Sequence, residues 1–228
     1  MNYIKILILF SAVFCMETFG MAYIQRKDLL GEKPLPDRIK YLFPMTVKRR
    51  VYYGLTMLTG LCLSSALIFV YPENTIFIQK IRMAALYGIL CPIALIDLRT
   101  QKIPNKLLLL ACVIWVFSVM AELVKNPELV FRDVKNSMVA AVVVFLICIL
   151  CKCLIKNGIG MGDIKLFMVM GLLQGISGMS GAIFMSMIVA FFGSVGMLIL
   201  KKKTRKDNIS FGPFILIGTT ISMFLAGV

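Results

Sequence analysis

The sequence predicts an all-α fold, a polytopic membrane helix bundle of about eight transmembrane helices with both termini on the extracytoplasmic side. Three observations predict it. Apolar residues make up 60% of the 228 and the mean hydropathy is +0.91, well above the composition of a soluble domain. Apolar stretches recur along nearly the whole chain, several close to the roughly 20 residues that cross a bilayer as a helix. Lysine and arginine concentrate in alternate connections, as they do where loops on one face stay in the cytoplasm.

The apolar stretches fall at 3–24, 51–71, 81–98, 104–124, 136–155, 163–177, 180–200 and 211–228. The sixth is short and contains glycine, which makes it the weakest as an independent span. The connections are too short for a water-soluble domain, so residues 1–228 read as a single integral membrane domain with a basic loop at 26–50. Under this topology nineteen of the 25 Lys and Arg fall on one side, in 26–50, around Arg99–Lys106, around Lys152–Lys165 and in 201–206. The positive-inside rule puts that side in the cytoplasm. The net charge of +14 thus sets topology and meets anionic lipid headgroups. No basic stretch is interleaved with aromatics as a base-stacking platform, so no nucleic-acid partner is expected.

Histidine is absent, which excludes a Ser-His or Cys-His nucleophile and any His-ligated metal. The seven cysteines are odd in number, lie almost wholly in apolar segments and include no Cys-x-x-Cys pair. They read as small buried residues, and neither a metal nor a cofactor is expected.

Taken in order, the first span resembles a signal peptide in composition, but its heavily basic stretch follows rather than precedes it, so it reads as a retained span. Glu17 within it reads as a hydrogen-bonded bundle residue. Loop 26–50 carries prolines at 34, 36 and 44, which break any long helix, and reads as a solvated, lipid-anchoring connector. The third span ends Ala94-Leu-Ile-Asp-Leu-Arg-Thr-Gln-Lys-Ile-Pro-Asn105, with Asp97 in its last cytoplasmic turn. Pro104 is placed to start the next helix, where its missing N–H costs nothing. Asn105 suits a bond to the turn backbone, or contact with a substrate peptide. A short outer loop with Pro127 joins the fourth and fifth spans, and Glu122 lies near an outer end.

The fifth span leads into Gly158-Ile-Gly-Met-Gly-Asp-Ile-Lys-Leu166, where Asp163 sits behind three alternating glycines and ahead of an apolar helix. A glycine turn capped by Asp begins many ordinary helices. The second aspartate changes the balance, because Asp97 and Asp163 fall at the same depth on the same face with two spans between them. A carboxylate at the edge of a hydrocarbon layer is costly to keep and marks function by default. The last loop is followed by Ile209-Ser-Phe-Gly-Pro-Phe214, and Phe-Gly-Pro opening an apolar span predicts a partly unwound helix start.

Two carboxylates sharing a site do not both ionise cheaply, so the pair holds a single proton. The ionised member takes a proton from water while the protonated member donates to a carbonyl oxygen, which is peptide hydrolysis without histidine, serine or metal. Lys165 and Lys102 are near enough in sequence to tune the charge. The titration belongs to the pair, so neither aspartate is assigned as the base.

Asp97 followed by Lys102-Ile-Pro-Asn105, then Gly160-Met-Gly-Asp-Ile-Lys-Leu166, resembles the prepilin peptidases (type IV leader peptidases), membrane aspartyl proteases named for Gly-x-Gly-Asp. Phe211-Gly212-Pro213 is similar to their C-terminal motif, and the likeness runs over about 85–215. The resemblance implies a catalytic dyad of Asp97 and Asp163. Gly160, Gly162, Lys165, Lys102, Pro104, Asn105, Gly212 and Pro213 are implied as motif or substrate-positioning residues. It also implies a multi-pass protein of the cytoplasmic (inner) membrane. The implied substrates are type IV prepilin-like precursors with an N-terminal hydrophobic helix, whose short basic leader is cut off at the cytoplasmic face. Longer family members carry a cysteine-bearing, zinc-binding insertion and also N-methylate the product. Loop 26–50 has no cysteine, which points to a peptidase-only form. The Tyr-Asp and Pro-Ala-Leu signatures of the presenilin type are missing, with Ile96 before the first aspartate. The reading from another class is a proton- or cation-coupled transporter using the same two aspartates. It predicts carboxylates near the midplane and repeated halves, whereas here both acids lie at one edge and no repeat is visible.

Overall fold

The computed structural model describes residues 8, 11–16, 18, 58, 62, 77–125, 127–154, 159–199 and 209–226. Five helices carry the described chain: α1 (Phe77–Thr100), α2 (Asn105–Lys125), α3 (Pro127–Leu154), α4 (Met161–Ile199) and α5 (Gly212–Ala226). No strand occurs among the described residues. The first four are long and apolar enough to cross a membrane, and α5 is apolar but shorter. Most of the first two expected spans, Glu17, loop 26–50, loop 201–208 and both chain ends lie outside the described residues.

α1 is the central helix. Its apolar stretch is 83% buried, against 33% for α2, 28% for α3 and 11% for α4, so the other helices put most of their apolar surface toward lipid. Leu86, Ile89, Leu90 and Ile93 of α1 form one core with Leu107 and Ala111 of α2, Ala140 and Val144 of α3, and Leu166, Phe167 and Met170 of α4. The helix ends one turn past Asp97. Gln101 still donates its N–H to the Asp97 carbonyl (2.9 Å) but takes a left-handed conformation (φ 51°), which turns the chain out of the helix.

Two boundaries differ from the sequence expectation. Pro104 is the residue before α2 rather than its first residue, since its carbonyl accepts the first turn's bond from the Leu107 N–H (3.1 Å). α3 begins at Pro127, nine residues before the expected 136. Glu128, Arg132, Asp133 and Lys135 hide those about two and a half turns from an apolar scan, although proline at the first position and an acid behind it favour a helix start. The expected spans 163–177 and 180–200 are matched by two helices within the continuous run α4, which meet at a non-helical break at Gly175 (φ 68°, ψ −171°). Only glycine takes that conformation without strain. Asn136 of α3 sits against the break, its Oδ1 accepting from the Ile176 N–H at 3.5 Å.

Beyond the break, α4 runs antiparallel to α5 on small residues. Gly181 lies beside Ser222, Gly218 against the Ser186 backbone, and Gly193 against the Phe214 ring. Lipid tails are as apolar as Leu, so membrane helices associate through such close backbone approach. The Tyr87 hydroxyl donates to the Thr219 carbonyl (3.0 Å) and ties α1 to α5. At the far end of α1 the guanidinium of Arg82 pairs with Glu122 and donates through Nε to the Ser118 hydroxyl (2.7 Å).

Candidate active site

Asp97 sits on the last full turn of α1 and is only 5% exposed. Its partner comes from the start of α5. There the N–H groups of Phe214 and Ile215 both go to the Phe211 carbonyl (3.0 and 3.1 Å), which makes Phe211 the N-cap. Pro213 has no N–H. The Gly212 N–H is thus a first-turn donor with no acceptor inside its own helix. It donates to Asp97 Oδ2 at 2.7 Å.

Asp163 occupies the third position of α4. The Gly160 carbonyl accepts from the Ile164 N–H (3.2 Å), so Gly160 is the N-cap. The Asp163 carboxylate turns back to accept from the Gly160 N–H. This is one half of a capping box, the side chain at the third position reaching back to the N-cap amide, with no N-cap side chain to return the bond. A Cβ at 160 would come within 2.9 Å of Asp163 Oδ2. The capping role of the glycine motif is thus realised, and the same carboxylate is near enough to Asp97 for the Asp97 charge to act on it.

Three further contacts join the segments. A Cβ at Gly162 would lie 3.2 Å from the Ile103 Cβ, so the turn after α1 rests directly on the glycine motif. The Lys165 ammonium donates to Asn105 Oδ1 at 3.3 Å. The rings of Phe167 and Phe211 meet edge to face, centroids 6.0 Å apart. Asp97, Asp163, Gly160, Gly162, Gly212, Asn105 and Lys165 are therefore brought to one end of the bundle. Asn105 bonds Lys165 rather than the turn backbone. Lys102 is exposed, its carbonyl accepting weakly from the Thr100 hydroxyl (3.5 Å). Pro104 is buried behind the turn, and Pro213 is half-buried beside Gly212.

Sequence reasoning missed Ile103, Phe167 and Cys148. Phe167 follows Asp163 by one helical turn, a spacing that places it on the same face. Cys148 of α3 is buried and close enough for the Asp163 charge to reach it, and no sequence pattern announces that. Among the described residues neither aspartate has a salt-bridge partner. No group of three or more Cys, Asp or Glu among them is placed to hold a metal.

Fold and site together define a multi-pass helical membrane protein with two carboxylates, from different helices, facing a common end. The family model for the type IV leader peptidase family matches residues 84–199, and the chain belongs to that family. It is a peptidase of the prepilin leader type. The matched stretch contains both aspartates, while Phe211–Pro213 lies beyond it. No match is found among curated proteins or among solved structures.

Proposed function

We propose that the protein is an aspartic endopeptidase of the cytoplasmic membrane that removes the basic leader from type IV prepilin-like precursors, with Asp97 and Asp163 as its catalytic residues. The observation that carries this is the meeting of two motif carboxylates at one end of the bundle, coupled electrostatically and with no side-chain cation paired to either among the described residues. Like carboxylates so placed share one proton. The ionised member takes a proton from water as its oxygen attacks the scissile carbonyl carbon, and the protonated member donates to the carbonyl oxygen. Collapse of the tetrahedral intermediate breaks the C–N bond, and the leaving amine takes up a proton from the pair. The basic loops put this end in the cytoplasm, where water and the substrate's charged leader are both at hand. The substrate's hydrophobic helix stays in the lipid beside the bundle. With no cysteine in loop 26–50, the product's new N-terminus leaves unmethylated.

The test is a gel-shift cleavage assay in detergent with a prepilin-like substrate. It compares wild type with Asp97→Asn and Asp163→Asn, each checked for folding. Cleavage by the wild type and its loss in both variants is the expected result. Two folded variants that still cut would rule out the dyad. A wild type that cuts no such substrate would turn attention to an ion pathway through the same acids.

A further inference from the structure

We propose that the Phe211-Gly212-Pro213 segment sets the position of the aspartate pair, which makes Gly212 and Phe211 positioning residues rather than groups that touch substrate. The inference rests on the dyad reading above and deepens it.

The local chemistry leaves Gly212 a single task. Of the first four backbone positions of α5, Pro213 has no N–H, and Phe214 and Ile215 both donate to the Phe211 carbonyl. Gly212 holds the remaining donor, and it goes to Asp97 Oδ2 at 2.7 Å. A hydrogen bond from an N–H to a carboxylate is charge-assisted and stronger than its neutral counterpart. The positive end of the α5 dipole adds to it. The residue must also be glycine for room. A Cβ at 212 would lie 3.0 Å from both Asp97 Cβ and Oδ2 and 3.2 Å from Ala94 Cα, so two backbones and a carboxylate meet there with nothing flexible between them.

The neighbouring residue reaches the other aspartate's helix. Phe211 packs edge to face on Phe167, one turn beyond Asp163, and also leans on Phe214 of its own helix at 6.5 Å. Two consecutive residues, one held by proline, therefore touch α1 at Asp97 and α4 just behind Asp163. This segment is a strut that fixes the separation of the two carboxylates. Proline at 213 stiffens it by fixing φ.

The experiment measures kcat and KM of the full chain in detergent on a prepilin-like substrate. The variants are Gly212→Ala, Phe211→Ala, Phe211→Tyr and, as a control on helix packing, Tyr87→Phe. That control removes a separate hydrogen bond between α1 and α5, away from the carboxylates. Gly212→Ala is expected to lower kcat about 100-fold and Phe211→Ala about 10-fold with KM within about threefold, as a misplaced catalytic group does. Phe211→Tyr keeps the ring and is expected to restore the rate, and Tyr87→Phe is expected to lower Tm without lowering kcat. A folded Gly212→Ala at the wild-type kcat overturns the proposal, as does a Tyr87→Phe whose kcat falls as far. Should Gly212→Ala not fold, the two Phe211 variants decide.

A readout independent of cleavage is hydrogen exchange at the Gly212 amide, which is expected to speed up at least about tenfold in Asp97→Ala as its acceptor is lost. Unchanged protection overturns the contact. If Asp97→Asn itself cuts at the wild-type rate, the dyad reading has failed, and the exchange result still reports separately on the strut.

Discussion

At the end of α1 away from Asp97, Arg82 and Glu122 lie side by side in the protein interior, each under 5% exposed, and the Ser118 hydroxyl accepts the Nε–H of the guanidinium. At the opposite end of the same helix, Asp97 is as deeply buried and lies within reach of another carboxylate's charge, with the Gly212 N–H as its hydrogen-bond donor among the described residues. In the first arrangement opposite charges sit together and offset each other. The second confines like charges where they cannot both be comfortable. Such a pair persists only where the fold over-determines it, and groups so held cluster at reactive sites. One helix thus carries an ion pair at one end and, on the proposed reading, a reactive pair at the other, and among the described residues a side-chain cation neutralises the first alone.

Four experiments break or sharpen that contrast. Asp97→Asn and Asp163→Asn are each expected to cut activity by about 10⁴-fold. Each removes a like-charge repulsion, so thermal melting in detergent should find stability unchanged or raised. Arg82→Met is expected to do the reverse. It strands Glu122 and costs about 3–5 kcal/mol of stability while the folded fraction still cleaves at the normal rate. The double variant Arg82→Met/Glu122→Gln should recover most of that loss, and a denaturation series on all three chains tests it. Gly218→Ala drives a methyl group into the Ser186 backbone between α4 and α5 and is expected to cost about 1–3 kcal/mol, again by denaturation. Lys165→Met breaks an exposed bond to Asn105 and is expected to change stability by less than about 0.5 kcal/mol. A cleavage loss beyond about tenfold for this variant would move Lys165 into the reactive end rather than its rim.

Asp97 and Asp163 were legible in the sequence because each is a lone acid at the edge of an apolar run, marked by glycine or proline nearby. The same logic is silent on Arg82, which falls at the very start of the third expected span and is buried in α1 with its counterion 40 residues away. Charges near a span end look alike in sequence whether they face water or each other. The early start of α3 was hidden for a related reason, since helical hydrogen bonding does not stop where the hydrocarbon does. The break at Gly175 was half visible as a gap between two apolar stretches, but its partner Asn136 was not. Gly212 and Asp97 are 115 residues apart, and no local pattern encodes which carbonyl-free donor meets which carboxylate. That contact is decided by how α5 packs on α1.

The break at Gly175 also makes the two aspartates answer differently to the thickness of the lipid. α1 has 24 residues and reaches about 36 Å, enough to cross a hydrocarbon layer of about 30 Å. The arm of α4 that carries Asp163 turns back at Gly175 after about 14 residues, or about 21 Å, against the flank of α3 at Asn136. A helix longer than the layer adapts by tilting, whereas a short arm is carried at whatever depth its neighbours hold it. Thickening or thinning the bilayer therefore pulls on Asp97 through the tilt of α1 and on Asp163 through the depth of α3. Acyl-chain length becomes a mechanical input to the gap between the carboxylates.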